Sequence, residues 1–284
     1  MTDTQLQAML SFLETSTKKA YEEDEVPKDK KIIEDLKYLD DQDSMHTLDV
    51  IYPDYKQDTY PFIIYIHGGG FCMHHKNEIY RHHALRLAND VFAVVNINYR
   101  LAPKASYQDM IDDLHAVLSY LQHGGRQLHL DLNRMFVAGD SSGAYLASYL
   151  PFLVQSYTPL DMKGIACCCG LFDFDTFLQD NTCKFPIKKE MLHLLFQDDI
   201  PKASSILSKI TPSYPPVYLM DSAYQSFSGE AKRMKAALDK HAVSNTLNIF
   251  PKEEKLPHNF QLLWKYPQSA MVLETIFDFF HQYL

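Results

Sequence analysis

The segment 139–143 reads GDSSG and is the strongest chemical signal in the chain. It fits the pattern G-x-S-x-G, which places Ser141 between two glycines on a tight turn. Apolar residues at 135–138 precede the turn and a helical pattern at 144–150 follows it. Glycines two residues before and after the serine let the strand and helix backbones pack closely. The spacing favours a serine nucleophile, with a glycine turn and a helix-capping serine as the simpler alternative.

A second glycine cluster, HGGGF at 67–71, directly follows the apolar stretch 62–66. Successive glycines allow backbone amides to point into a shared cavity, because no Cβ atoms obstruct them. A phosphate-binding loop would need a Lys-Ser/Thr pair after the glycines, and here Phe71, Cys72 and Met73 follow instead. An HGGG turn after an early strand is typical of one half of an oxyanion hole, and a plain glycine turn is the alternative.

The elements that must hold these clusters alternate between strand and helix from about residue 36. From residue 62 onward the strand-like runs are continuously apolar, which suits parallel strands buried on both faces. We predict an α/β fold with a mostly parallel central sheet of about eight strands flanked by helices. The predicted strands are 36–39, 47–52, 62–66, 92–97, 135–138, 164–169, 217–220 and 246–250. The predicted helices are 77–89, 106–123, 142–154, 226–241 and 268–282.

Two segments depart from this alternation. Residues 1–45 begin with apolar side chains at helical spacing and continue as a run of mixed charge. We predict an N-terminal helix and charged linker there, either as a solvated surface or as part of a lid over a pocket. Residues 46–284 then form the main domain. Within it, residues 175–212 contain short helical pieces and no strand, which predicts a small helical cap.

Further motifs complete a family pattern. The chain contains NYRLAP at 98–103, DLNR at 131–134 and PPV at 215–217, and His258 follows the last predicted strand. With the two glycine clusters, these residues resemble the hormone-sensitive-lipase-like branch of the α/β-hydrolase fold over about 45–284. The usual GDSAG of that family differs here only at Ser142, which keeps the backbone amide. Asp140 resembles the family's aspartate that steadies the HGGG loop, with an ordinary surface carboxylate as the alternative.

The resemblance implies a role for each matched position. Ser141 would be the nucleophile and His258 the general base. The oxyanion hole would consist of the backbone amides of Gly69, Gly70 and Ser142. The implied function is a serine carboxylesterase that hydrolyses small to medium acyl esters through an acyl-enzyme, with no metal and no cofactor.

The pattern breaks at the acid of the catalytic triad, where the family's position is occupied by Gln225. A neutral amide can hold the histidine tautomer but cannot stabilise an imidazolium ion by charge. Either a nearby carboxylate serves instead, or the enzyme is a slow Ser-His dyad, or the site binds without turnover. The last case would make the protein a catalytically impaired ligand-binding protein, and an amide or formamide hydrolase is a further alternative. The candidate carboxylates are Asp221, Glu230, Asp173 and Asp175.

Composition limits the partners. There are 27 Lys and Arg residues against 36 Asp and Glu, a formal net charge of −9, which argues against nucleic acid and anionic membranes. No apolar run approaches the roughly 20 residues of a membrane span. The N-terminal residues lack a basic and apolar leader, so we expect no secretory signal. The five cysteines form no disulfide framework, which favours a cytoplasmic location. We expect a small-molecule ester as substrate, with a homodimer as a possible assembly.

Overall fold

The computed structural model describes residues 3–89, 91–180, 188–196 and 205–284. The strands are β1 (Ile32–Lys37), β2 (Thr47–Ile51), β3 (Tyr60–Ile66), β4 (Ala93–Ile97), β5 (Leu130–Asp140), β6 (Met162–Cys168), β7 (Val217–Ser222) and β8 (Asn245–Phe250). The helices are α1 (Asp3–Glu22), α2 (Ile79–Leu87), α3 (Tyr107–Gly124), α4 (Ser142–Val154), α5 (Phe174–Gln179), α6 (Lys188–Phe196), α7 (Ser228–Lys240) and α8 (Pro267–His281). Single 3₁₀ turns lie at Leu207–Lys209, Lys252–Glu254 and Phe260–Leu262.

All eight strands join one sheet in the order β1-β2-β4-β3-β5-β6-β7-β8. Strands β3 to β8 pair in parallel, and β2 is antiparallel to both of its neighbours. Every residue of β2, β3, β4 and β7 is buried, because helices cover both faces of the sheet. This confirms the predicted α/β fold with its mostly parallel sheet of eight strands.

Two hydrophobic cores fill the spaces between the sheet and its helices. One core packs α3, α4 and α7 on one face, together with α5 and α6. The other packs α2 and α8 on the opposite face. The apolar residues of each strand alternate between these cores, which explains why the central strands read as unbroken apolar runs.

The first predicted strand is displaced. It was expected at 36–39, and β1 instead covers Ile32–Lys37. Its register against β2 shifts between Ile33 and Leu36, and most of its side chains are at least partly exposed. An irregular edge strand has no regular apolar alternation, so the sequence pattern marks its position poorly.

The two segments outside the alternating pattern lie near one another. Helix α1 packs through Leu10 against Met73, with Leu13 and Leu194 beside this contact. Within the predicted cap at 175–212, the structure describes α6 and most of α5, whereas 181–187 and 197–204 lie outside the described residues. None of the helices in the described ranges has the length and apolar character needed to cross a membrane.

A buried ion pair fixes the chain just after α1. Arg86 Nη2 lies 3.3 Å from Asp24 Oδ2, and both side chains are almost fully buried. Asp24 Oδ1 also accepts the backbone N–H of Trp264 at 2.7 Å and that of Lys265 at 3.3 Å. The Arg86 guanidinium stacks on the Trp264 ring at 4.6 Å. One carboxylate thus joins the N-terminal segment, α2 and the loop before α8.

Replacing Asp24 by alanine should destabilise the protein. The variant removes the carboxylate partner of a buried guanidinium, which keeps its contact with the carbonyl oxygen of Glu25, and the acceptor of two backbone amides. Breaking a buried pair costs about 3–5 kcal/mol. Urea unfolding measures this loss in the free energy of unfolding. Asp29→Ala is the matched control, because Asp29 is exposed. Equal stability of the two variants would show that the ion pair does not hold this segment.

Candidate active site

Ser141 lies on the strained turn that the motif predicts. It follows β5, caps the N-terminus of α4 and has φ 56° and ψ −116°, an unfavourable backbone conformation for a residue with a side chain. A Cβ atom on Gly143 would lie 2.1 Å from the carbonyl oxygen of Ile66, and one on Gly139 would lie 2.3 Å from that of Gly143. Both glycines of the motif are therefore required by backbone packing, and the serine hydroxyl is presented above the sheet.

The structure brings His258 to Ser141. Their Nε2 and Oγ atoms lie 2.9 Å apart, although the residues are 117 positions apart in the chain. His258 follows β8, where the sequence places it, and its ring packs 4.3 Å from the Phe227 ring. Desolvation lowers the pKa of His258 to about 4. The imidazole is thus neutral at neutral pH and can accept a proton.

The second nitrogen of His258 contacts a residue that the sequence analysis missed. Nδ1 lies 2.9 Å from the hydroxyl oxygen of Ser226. Gln225, which occupies the family's acid position, is exposed and has a left-handed backbone with φ 52°. The chain reverses at Gln225, so the next side chain, Ser226, faces the histidine. The sequence signal that could have identified Ser226 is its hydroxyl, one residue after the position expected for the triad acid.

Three of the four candidate carboxylates show no contact with His258 in the described structure, because two are engaged elsewhere and one is exposed. Glu230 Oε2 accepts the backbone N–H groups of Phe172 and Asp173, and its Oε1 pairs with Arg233. Asp173 caps α5 by accepting the N–H of Thr176 at 2.8 Å. Asp175 is exposed in the first turn of that helix. Glu230 thus fastens the start of the cap helix α5 to α7, and Asp173 caps α5, so the contacts of these two carboxylates serve the cap.

Asp221 is the fourth candidate and lies at the end of β7 with no exposed surface. Its Oδ1 accepts the N–H of Ser222 at 2.7 Å, while Oδ2 has no hydrogen-bond partner among the described residues. Burial raises the pKa of Asp221 to about 7, and an interaction with the Ser226 hydroxyl opposes this rise. Asp221 and His258 therefore both interact with the Ser226 hydroxyl group.

The glycine loop faces the same cavity as Ser141 and His258. Gly69 has φ 115° and Gly70 has φ 61°, conformations that residues with side chains rarely adopt. Within the described residues, the amides of Gly69 and Gly70 have no hydrogen-bond acceptor. Ser142 is the first residue of α4, so its N–H has no acceptor within the helix. These three amides are the ones that the family resemblance implies for the oxyanion hole.

Buried polar contacts position the loops around the serine. The Tyr99 hydroxyl donates to the carbonyl oxygen of His67 at 3.0 Å and thereby supports the glycine loop. Asp140 accepts hydrogen bonds from Tyr65 and, at 2.5 Å, from Gln261 Nε2. Asp140 is thus a buried support and not a surface carboxylate. It connects the end of β3 to the segment that carries His258, rather than contacting the glycine loop through its carboxylate.

A cavity of about 320 Å³ opens above these groups. Helix α1 contributes Leu13, Ser16, Thr17 and Ala20 to its wall, and residues of α2 and of the segment after His258 form the opposite wall. The described residues contain no group of three or more His, Cys, Asp or Glu side chains arranged to hold a metal ion. The site can therefore offer a serine hydroxyl, a neutral imidazole and backbone amides to a small, largely apolar molecule.

The buried Asp221 should change how stability depends on pH. Its pKa is raised from 3.8 to about 7, so the unfolded chain loses this proton first as the pH rises. Its contribution to the free energy of unfolding is present below about pH 4 and is lost by about pH 7. Buried histidines act in the opposite direction, because burial lowers the pKa of His67 and His258. The difference between wild type and Asp221→Asn isolates the carboxylate.

We compare the free energy of unfolding of Asp221→Asn with that of wild type at two pH values. We expect this difference to favour the variant by about 2–4 kcal/mol more at about pH 8 than at about pH 4. Urea unfolding at both pH values measures this gain. Asp175→Asn, which changes an exposed carboxylate, should follow the wild type. If Asp221→Asn also followed the wild type, Asp221 would titrate as an ordinary surface group.

Known proteins resemble this chain in sequence and in fold. The model of the BD-FAE family matches residues 48–223, more than half of the chain. Esterase LipI of Mycobacterium tuberculosis is 38% identical over 93 residues, which are 32% of this chain and 28% of that protein. Carboxylesterase NlhH of the same organism is 33% identical over 109 residues, which are 37% of this chain and 33% of that protein. The alignments thus span about a third of these curated relatives.

A solved structure matches nearly the whole fold. Esterase B of Lactobacillus rhamnosis superimposes with a TM-score of 0.87 at 23% identity, over 98% of this chain and 94% of that one. At this identity the likeness concerns the fold. The family match confirms the resemblance read from the two glycine clusters: the chain belongs to the BD-FAE family of hormone-sensitive-lipase-like α/β hydrolases.

Proposed function

We propose that this protein is a serine carboxylesterase that hydrolyses small to medium acyl esters. The contact that carries the proposal is the 2.9 Å separation between Ser141 Oγ and His258 Nε2, at the base of a cavity that also exposes Gly69 and Gly70. A nucleophile, a neutral base and free amide donors around one point are the groups that acyl transfer requires. The esterase names of the relatives LipI and NlhH support this reaction class.

Acylation begins with a proton transfer. His258 Nε2 takes the hydroxyl proton of Ser141 as Oγ attacks the ester carbonyl carbon. The carbonyl electron pair moves to oxygen, and the amides of Gly69, Gly70 and Ser142 stabilise the resulting oxyanion. The intermediate then collapses, the bond to the alcohol oxygen breaks, and His258 gives its proton to that oxygen. Ser141 is left acylated and His258 is neutral again.

Deacylation repeats these steps with water as the nucleophile. His258 removes a proton from the water, the hydroxide attacks the acyl carbon, and the same amides stabilise the second oxyanion. The proton returns to Ser141 as the acid leaves. His258 must be neutral at the start of each half-reaction, and its lowered pKa keeps the imidazole in this form at neutral pH.

The cavity supports the proposed size of substrate. Its volume of about 320 Å³ is at the lower end of ordinary ligand pockets, which span about 300–1,000 Å³. Leu13, Ile79 and Leu262 give it an apolar wall. In this proposal α1 is part of the cap, because its inner side closes the cavity above Ser141.

Two alternatives remain from the sequence. Gln225 at the position of the triad acid motivates a ligand-binding protein without turnover, and an amide or formamide hydrolase would use the same Ser141 but would need a well-placed general acid for the leaving amine. The histidine nitrogen in question faces Ser226, so the identity of residue 225 does not decide whether the base is supported. No observation favours either alternative over the esterase.

Location and assembly are proposed from the sequence. The four cysteines within the described residues are free thiols, which supports a reducing, cytoplasmic environment. The homodimer stays a prediction.

Substitution of the nucleophile tests the proposed reaction. Wild-type protein should hydrolyse p-nitrophenyl butyrate and gain one adduct with a fluorophosphonate probe, measured by intact-protein mass. Ser141→Ala should do neither, because the variant lacks the hydroxyl that lies 2.9 Å from His258 Nε2. Ser156→Ala is the matched control, because Ser156 is exposed at the far end of α4. Turnover or labelling that survives Ser141→Ala would refute the assignment.

A further inference from the structure

To act as a base, His258 needs a neighbouring group that keeps its ring proton on Nδ1. For Nε2 to accept the proton of Ser141, the ring proton must be on Nδ1 and must have an acceptor. Nδ1 faces the hydroxyl oxygen of Ser226 at 2.9 Å. A hydroxyl can either accept from Nδ1–H or donate to a bare Nδ1. Donation would place the ring proton on Nε2 and would prevent His258 from acting as a base toward Ser141.

A second group decides which way the Ser226 hydroxyl points. The Asp221 carboxylate is fully buried, its Oδ2 has no described hydrogen-bond partner, and the Ser226 side chain stabilises its charged form. Oδ1 already accepts the N–H of Ser222, whereas an unpaired Oδ2 in a buried carboxylate is costly, so the hydroxyl proton of Ser226 is drawn toward Asp221. The lone pairs of the hydroxyl then remain for Nδ1–H.

We propose that Asp221 is a positioning residue for His258 and acts through the hydroxyl of Ser226, which replaces the missing direct contact between an acid and the histidine. The inference rests on the proposed esterase function. No proton leaves Ser226 or Nδ1 during the reaction. The Asp221 charge orients the hydroxyl, the hydroxyl selects the productive tautomer, and the charge stabilises the imidazolium that forms when Nε2 takes the Ser141 proton.

The surroundings of Asp221 offer no competing charge among the described residues. Cys168 at the end of β6 and Cys169 just after it interact with Asp221, and burial raises the pKa of both thiols, so they stay neutral. The Cys169 side chain and the Phe227 backbone also stabilise the charged form of Asp221. The Asp140 carboxylate on β5 acts electrostatically on the same thiols, and it accepts hydrogen bonds from Tyr65 and Gln261. Ser226 therefore provides the polar route from the Asp221 carboxylate to the imidazole.

The first test compares Asp221→Asn in two backgrounds. In the wild-type background it should lower kcat by roughly 10- to 100-fold, less than the roughly 10⁴-fold loss from a triad acid in direct contact, because a hydroxyl separates charge and ring. Ser226→Asp places a carboxylate beside Nδ1 itself. In that background, Asp221→Asn should change kcat by less than about threefold, because the route through Ser226 no longer exists.

The second test uses conservative variants and pH. Ser226→Ala should lower kcat as Asp221→Asn does, and Ser226→Thr should restore most of it, because threonine keeps the hydroxyl. In the wild type, kcat/KM should rise as the Asp221 carboxylate ionises near pH 7, and this step should be absent in Asp221→Asn. Asp175→Asn is the matched control and should keep both the rate and the step. These variants decide the question even if Ser226→Asp does not fold.

A third readout does not depend on turnover. The ¹⁵N NMR signals of the His258 ring should show the proton on Nδ1 in the wild type and a shift toward Nε2 in Asp221→Asn. An equal loss of kcat from Asp221→Asn in both backgrounds, an unchanged tautomer or an unaltered pH profile would overturn the proposal. Failure of the esterase function itself is distinguishable, because it would appear as an inactive, unlabelled wild type.

Discussion

The contact between two backbone segments underlies the whole site. The turn that carries Ser141 packs directly on the end of β3, so closely that a side chain at Gly143 would meet the carbonyl oxygens of Ile66 and His67 at 2.1 and 2.5 Å. A side chain at Gly68 would meet the carbonyl oxygen of Asp140 at 2.7 Å. This approach places the nucleophile beside the glycine loop. The two glycine clusters of the sequence are thus the two sides of one packing contact.

Buried polar groups connect this packed turn to the segment that contains His258. Asp140 joins the end of β3 to Gln261, which lies three residues after His258, and Asp24 joins the N-terminal segment to α2 and Trp264. A buried carboxylate is costly unless it is bound by donors, so each of these groups fixes the elements that surround it. The sheet positions Ser141, and these contacts position the loop of His258 and the wall of the cavity.

Much of this could be predicted from the sequence, and the misses have physical causes. Unbroken apolar strands and required glycines are local signals, which is why the sheet, the Ser141 turn and the glycine loop were predicted from residue patterns. His258 was located only by its order in the chain. Ser226 was missed because its direction depends on the left-handed backbone of Gln225, which no pattern encodes. The four carboxylates could not be ranked, because burial and backbone partners distinguish them only after folding.

The most direct measurement is a crystal structure of the protein after reaction with a p-nitrophenyl alkylphosphonate, whose adduct mimics the tetrahedral intermediate. The account predicts phosphorus bonded to Ser141 Oγ and one phosphoryl oxygen within about 3 Å of the Gly69, Gly70 and Ser142 amides. An adduct on another residue, or a phosphoryl oxygen directed away from these amides, would contradict the account.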